Sequence, residues 1–568
     1  MHQALLISEV LNVVLRCVKN IIEYRDLAIL ARTCKAFQEP ALDVLWEQAW
    51  HLPRLLNVIP ERVLIDVKPL TSAEWSYLYA YTRRMREIIL SEWDPTPSFI
   101  LDLLYDPPPH LGAHAFPRLR RLRIDGYRTG KHRIPDYRFL LVPTLETVEM
   151  RSLRPGESKS GSQTKKVIMS LPEACPALKN LTITWGDQTA DVPVGMLLAV
   201  EEAVGRLDQL EVLQCPAPTG VEGMVALGKL ARLEVLMLDS PPPISGNLIA
   251  GKPVKYEFAE LHSLDFETRN MEDVNAFLSQ LGRLPDGLKV QYHTAPSLSE
   301  LESFFAHLTT LNNPDVSGIT LDKARIGSAA DDFLHLAPLL NHDDPASPPL
   351  TLATLKPLMS FTSLCTLDIT VPLRVILTDD DIEELSCAWP HLRHFSINEH
   401  RGWGSGALLT TIESLYSLVW NCPDLEHIAM PIDASALIEV PDEVPAGGAR
   451  NDRAFQVHMG ASRVGDPVVL VIVLAQIFEG RRLRVGHRHA EVAFDPAATW
   501  HDGSGEKGLA RNYQMAMNRC MRELREIEKE DPEVFGDEDV WPPHEDLVEE
   551  MREVFAGTVR EFAHIGPW

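Results

Sequence analysis

Leu119-Arg120-Arg121-Leu122-Arg123-Ile124 is the stretch whose reading decides the fold. The same phrase, Leu-x-x-Leu-x-Leu with conservative exchanges, returns as Leu178-Lys179-Asn180-Leu181-Thr182-Ile183. It recurs at 233–238, 261–266, 364–369, 392–397 and 425–430. An aromatic-Pro or Cys-Pro pair often precedes it, as at Phe116-Pro117, Cys175-Pro176, Trp389-Pro390 and Cys422-Pro423. First leucines are spaced by 26 (119 to 145), 33 (145 to 178), 32 (178 to 210), 23 (210 to 233) and 28 (233 to 261) residues. Self-similarity at such periods marks a solenoid. Each unit buries its leucines only against its neighbours, which predicts a curved stack that holds other molecules on its inner side.

Bulk properties narrow the function. The 568 residues exceed one ordinary core, but a solenoid grows in length without thickening. Hydrophobic content of 45% and charged content of 24% are those of a globular protein. Eighty acidic against 54 basic residues leave a net charge of -26, which disfavours nucleic acid as a partner. The longest apolar run, Val468 to Ala475, is about half the length of a membrane span. No basic n-region or small-residue cleavage site marks the start, so neither a leader nor a membrane partner is expected. The eight cysteines (17, 34, 175, 215, 365, 387, 422, 520) are scattered and form no C-x-x-C. They fit reduced thiols in the cytoplasm or nucleus, several of them in repeat positions that call for a small buried side chain.

Four regions follow from the pattern. Residues 1–48 read as three short amphipathic helices, with Val14 and Leu27 in their own core and Pro40 breaking or opening an element before a helix at 41–46. Residues 49–115 form a linker and N-terminal cap; at Trp75, Tyr77, Tyr79 and Tyr81 helical and alternating readings compete. Degenerate repeats occupy 116–490, with eroded copies at Pro285 to Val290 and Val316 to Leu321 and a further strand at Phe455 to Met459. The segments 152–166, 241–253 and 341–349 read as exposed loops. Pro467 opens a helix carrying the apolar run, and 491–568 is an acidic helical cap or tail.

The first 48 residues resemble an F-box, the adaptor-binding module of cullin-type ubiquitin ligases. The resemblance rests on Leu5-Leu6-Ile7-Ser8-Glu9-Val10-Leu11, on Leu27 to Phe37 with its Arg32-Thr33-Cys34-Lys35-Ala36-Phe37 run, and on Ala41 to Trp46. Ser8 stands where that family commonly has Pro. Leu377 to Leu385 followed by Ala388 to Leu392, and Trp420 to Ile428, are similar to the helix-plus-strand unit of leucine-rich F-box receptors. The resemblance implies an α/β fold: a small helical module, then an irregular leucine-rich-repeat solenoid with concave strands, convex helices and C-terminal capping helices. It further implies an adaptor-binding surface made by Leu6, Ile7, Val10, Leu30, Cys34, Phe37, Leu45 and Trp46, and a protein target on the concave face.

On that face the residues between the leucines point outward. They nominate Arg120, Arg121 and Arg123, Lys179, Asn180 and Thr182, Glu211 and Gln214, His262 and Asp265, Arg393, His394 and Ser396, and Glu426 and His427. Of these, Arg121, Arg123, Lys179, Thr182, Gln214, His262, Asp265, Arg393, His394 and His427 are the target-binding candidates. Early repeats are basic and later ones mixed. No catalytic residue, metal site or cofactor is nominated. His487 and His489 lack a third ligand. Asp379-Asp380-Asp381 after Thr378 reads as a capped helix start, and the Gly-Ser-Gly loops at 404–406 and 503–505 match no phosphate or nucleophile motif. The expected function is substrate recognition for a cullin-type ligase. The alternative is a non-ligase interaction scaffold with a diverged F-box.

Overall fold

The computed structural model describes residues 11, 13–16, 24–49, 70–90, 104, 107–108, 114–125, 137–153, 159–185, 192–242, 248–249, 252–253, 255–311, 313–323, 348–398, 403, 407–453, 456–459, 462–478, 484–486, 519–520 and 545–563. The chain forms two compact units, 1–261 and 262–568. Each is a run of parallel strands joined by helical or irregular returns.

In the first unit, residues 13–16 are helical and precede α1 (Tyr24–Thr33) and α2 (Lys35–Trp46). Leu11, Leu15, Leu27, Ala31, Ala41 and Val44 make their small core, with Leu30, Phe37, Leu42 and Leu45 packed around it. Leu27 is buried as expected, whereas Val14 is 39% exposed, because Leu11 and Leu15 define the stripe that faces inward. Pro40 neither breaks nor opens an element: α2 runs through it. Packing of Ala41 and Val44 outweighs the one backbone bond the proline removes.

Strand β1 (Gln48–Ala49) follows α2 directly and pairs with β2 (Glu87–Leu90). Between them, the aromatic stretch resolves as helix α3 (Ser72–Thr82), opened by a Thr71/Glu74 capping box and burying Trp75, Leu78 and Thr82. Buried Arg84 then ties this region to α2, donating to Glu39 at 2.6 Å, to Asp43, and to the Ala80 carbonyl at 2.9 Å. Five more parallel strands follow in chain order: β3 (Arg121–Asp125), β4 (Thr147–Leu153), β5 (Asn180–Trp185), β6 (Val212–Cys215) and β7 (Val235–Leu238), and within the segment expected as a loop at 241–253, Leu248–Ile249 pairs antiparallel with Lys252–Pro253. Their returns include α4 (Lys159–Ala174), α5 (Val194–Val204) and α6 (Val221–Gly228). The loop expected over 152–166 is therefore helical from Lys159 onward.

Among its described residues the second unit orders eight strands of one sheet likewise: β8 (Ser263–Thr268), β9 (Gly287–Tyr292), β10 (Gly318–Lys323), β11 (Thr366–Ile369), β12 (His394–Ile397), β13 (His427–Ala429), β14 (Gln456–His458) and β15 (Arg484–Gly486), beside a separate parallel pair, Asp433–Ala434 with Arg463–Val464. Both eroded copies are strands. The returns are α7 (Met271–Leu278), α8 (Leu298–Leu308), α9 (Asp379–Ala388), α10 (Ile412–Asn421) and α11 (Pro467–Ile477). Asp466 caps α11, accepting from Val468 N at 2.8 Å, and all residues from Val468 to Ile477 are buried. Helix α12 (Glu545–Ala563) lies against α11, with Met551 and Phe555 buried and Arg552 2.9 Å from Asp466. No helix among the described residues is long and apolar enough to cross a membrane.

A recurring turn precedes many of the strands. The carbonyl of Phe116, Val142, Cys175, Trp389 and Cys422 accepts from the N–H three residues on, at 3.0–3.2 Å, with proline in between at the next position. Proline there pre-sets φ for such a turn. The strands then alternate half-exposed and buried positions, and the buried side meets the returns: Phe266 of β8 stacks edge-on with Phe277 of α7 at 5.9 Å. The opposite side of each sheet is its open face.

Candidate functional site

Two surfaces carry chemistry suited to binding: the open faces and the helical module. On the open face of the first unit, alternation brings forward Glu87 and Ile89, Arg121, Arg123 and Asp125, Thr147, Glu149 and Arg151, then Asn180 and Thr182, then Val212 and Gln214, then Val235 and Met237. The basic character of the early repeats is answered across strands. Arg121 meets Glu87 at 2.9 Å, Arg123 meets Asp125 at 2.9 Å and Glu149 at 4.0 Å, and Arg151 meets Glu149 at 2.9 Å. Asp125 and Glu149 hold the Arg123 guanidinium firmly protonated. This face runs from ion-paired to polar to apolar, and is not a free basic patch.

Just before the strands further ion pairs join neighbouring repeats: in the first unit Arg120 with Glu146 at 3.2 Å and Lys179 with Glu211 at 2.5 Å, and in the second Arg393 with Glu426 at 4.0 Å. His262 sits 2.9 Å from Asp286. In the second unit the register gives one row Ser263, Gly287, Gly318, Thr366, His394, His427, Gln456. The next row is Asp265, Lys289, Thr320, Asp368, Ser396, Ala429, His458. His394 and His427 stack at 4.1 Å with planes 6° apart, and His458 lies 5.3 Å from His427. Lys289 stands 3.5 Å from Asp265, whose carboxyl burial still holds above the ordinary range.

The ten nominated target-contact residues thus fall on open faces or their leading edges, but in two separate sets. Arg121, Arg123, Lys179, Thr182 and Gln214 belong to the first unit. His262, Asp265, Arg393, His394 and His427 belong to the second. His427 is only 7% exposed, and Ser396 is buried, so these two offer little surface to a partner. Missed by sequence reading were Glu87 and Ile89 on β2. The signal was present: Met85-Arg86-Glu87-Ile88-Ile89-Leu90 is the repeat phrase with Met and Ile replacing Leu, and Met85, Ile88 and Leu90 are buried.

In the helical module, Leu6, Ile7 and Val10 lie outside the described residues. Leu30, Phe37 and Leu45 pack on the module's own core, Cys34 is half-buried, and Trp46 rests on Tyr81 of α3 at 5.1 Å. Tyr81 in turn meets Tyr77 edge-on at 5.5 Å. Among the described residues of the module, the apolar groups left to solvent are instead Val13 at 60%, Val14, and Ile29 at 52%.

The chemical candidates find structural uses. Thr378 caps α9 through a box with Asp381, and Asp379 accepts from Thr411 N at 2.7 Å and Thr411 Oγ1 at 2.8 Å, holding the next helix start. Cys215 and Glu201 border a cleft of about 10 Å³, about the room of one water, where Glu201 accepts from Thr219 N at 2.5 Å. Burial pushes the Cys175 and Cys422 thiols up to about 12. Among the described residues no group of three His, Cys, Asp or Glu is placed to hold a metal ion; His487 and His489 lie outside them.

No family model matches this chain, and no curated protein matches it. Among solved structures it is similar to the Rad7 and Elc1 complex in yeast, at 12% identity over 84% of this chain and 96% of that one, with a TM-score of 0.35. It is also similar to a leucine-rich-repeat protein of Leptospira interrogans, at 14% identity over 67% of this chain and 93% of that one, with a TM-score of 0.23. Likenesses this distant carry nothing about partners or activity.

Proposed function

We propose that this protein is a binding subunit without bond chemistry of its own: the substrate receptor of a cullin-type ubiquitin ligase, working in the cytoplasm or nucleus. Its N-terminal helices bind the ligase adaptor, and the open strand faces hold a protein target. The mechanism is tethering, in which a held target experiences a raised effective concentration of the conjugating partner.

The observation that carries the reading is the exposure of Val13, Val14 and Ile29 on a module whose inner residues already fill its core. Large aliphatic side chains on a thin helical cluster are surplus to folding and suit an apolar interface. The helices also pass straight into β1, so whatever binds them is joined without a spacer to the strand array.

The test is capture of the purified chain by the cullin adaptor. A Val13→Asp/Ile29→Asp variant with unchanged circular dichroism is expected to lose capture by at least tenfold. Absence of wild-type capture at micromolar adaptor would replace the ligase reading with that of an interaction scaffold whose F-box has diverged. The double change is preferred to altering Phe37 or Trp46, whose rings are packed within the fold.

A further inference from the structure

Helix α1 has two faces with different tasks. Leu27 and Ala31 lie in the module's core, and the helical repeat sets Arg25, Ile29 and Arg32 on the opposite side, where all three are exposed. Lys35, also exposed, stands at the start of α2. The outer face of α1 is therefore an aliphatic side chain with a cation one turn before it and another one turn after it.

The fold makes no use of these cations. Among the described residues, no carboxylate stands within ion-pairing distance of Arg25, Arg32 or Lys35. The module's other carboxylates are taken elsewhere. Glu47 lies 2.8 Å from Arg16, Glu39 lies 2.6 Å from Arg84 and 3.7 Å from Arg83, and Asp43 pairs with Arg84. Among the described residues of the module that leaves Asp26, exposed at the edge of the strip, to offset one of the three charges.

The sign of the strip runs against that of the chain, whose net charge is -26. A basic partner would be drawn to the surface at large and turned away from α1. An acidic partner is repelled at large and accepted here, so the strip selects where it lands. An aliphatic centre with a charged surround also has the plan of a protein interface, apolar within and polar at its rim.

We propose that the outer face of α1 docks an acidic surface of the ligase adaptor, on which an apolar pocket takes Ile29 and carboxylates at its rim meet Arg25, Arg32 and Lys35. This rests on the reading that the helical module binds the adaptor, and adds to it the charge of the partner's surface and the steering of the encounter.

The experiment measures association of the full chain with purified cullin adaptor by biolayer interferometry at about 50 and about 500 mM NaCl. The wild-type association rate is expected to fall at least tenfold between the two. Arg25→Glu/Arg32→Glu is expected to associate at least tenfold more slowly than wild type at low salt, with most of the difference gone at high salt. Arg25→Lys/Arg32→Lys keeps the wild-type rate, because the charge is what steers. The control is Lys229→Glu/Arg232→Glu, which alters net charge equally at two exposed cations outside the module and is expected to leave the low-salt rate within twofold of wild type. Equal slowing by control and α1 variant would reduce the effect to net charge and overturn the proposal. So would a wild-type rate indifferent to salt, or faster association after charge reversal on α1, which would make the adaptor surface basic. In those outcomes the adaptor is still bound and the ligase reading stands; absence of wild-type binding at micromolar adaptor removes both.

Discussion

One residue position recurs through the repeats: the first of the turn that precedes many of the strands. Its side chain is buried, its carbonyl accepts the turn bond, and in several units it also reaches across to the preceding return. Trp389 is fully buried, and its indole N–H donates to the Leu358 carbonyl at 3.2 Å. The Cys422 thiol donates to the Trp389 carbonyl at 3.4 Å. Asn313 and Asn451 occupy the same position and are polar, yet buried, because their amides donate to the carbonyls of Leu284 at 2.7 Å and Leu425 at 3.0 Å. A buried amide so paired satisfies a turn carbonyl that an apolar residue would leave to its neighbours. Trp389→Ala removes the ring and orphans one acceptor, for an expected loss of about 3–5 kcal/mol. A urea titration followed by tryptophan-independent circular dichroism measures it, and a loss under 1 kcal/mol would deny the position this role.

Between neighbouring elements, helix starts are linked. The carboxylate of Asp379 sits in the first turn of α9, where the helix dipole favours it, and is used again to accept from the N-terminal groups of α10 at Thr411 and Ser414. The run of three aspartates is legible as a helix start from sequence alone, but its second task is not, since Thr411 lies 32 residues downstream. Asp379→Ala is expected to cost about 1–2 kcal/mol, the loss of a shared cap. Its distinguishing sign is faster amide exchange in residues 412–415 with little change in α9, which keeps its own Thr378–Asp381 box. Equal protection at both helix starts would show that the link contributes nothing.

Over the whole molecule, the buried thiols make stability fall on the alkaline side. Burial pushes the Cys175 and Cys422 thiols from the ordinary 9.0 up to about 12. A raised folded value means that the stabilisation is complete below pH 9 and is lost as pH climbs toward 12, because only the unfolded chain releases those protons. The urea midpoint is expected to drop between pH 8 and pH 10.5, and to drop less in Cys175→Ala/Cys422→Ala; an identical slope would locate the alkaline loss elsewhere. The sequence by itself determined the strands, their order of appearance and which side chains turn inward. These follow from a period of two within the Leu-x-x-Leu-x-Leu phrase; the pattern misled where Met85 and Ile88 disguised the phrase at β2, where the loop expected over 152–166 is helical from Lys159, where Val14 faces solvent, and where α2 runs through Pro40. What tertiary structure alone decided is who stands beside whom. Arg121 and Arg123 read as a basic patch until register sets Glu87 and Glu149 on the flanking strands. Side-chain direction is a local property of the extended chain, whereas neighbours across a parallel ladder are fixed by the length and packing of each return.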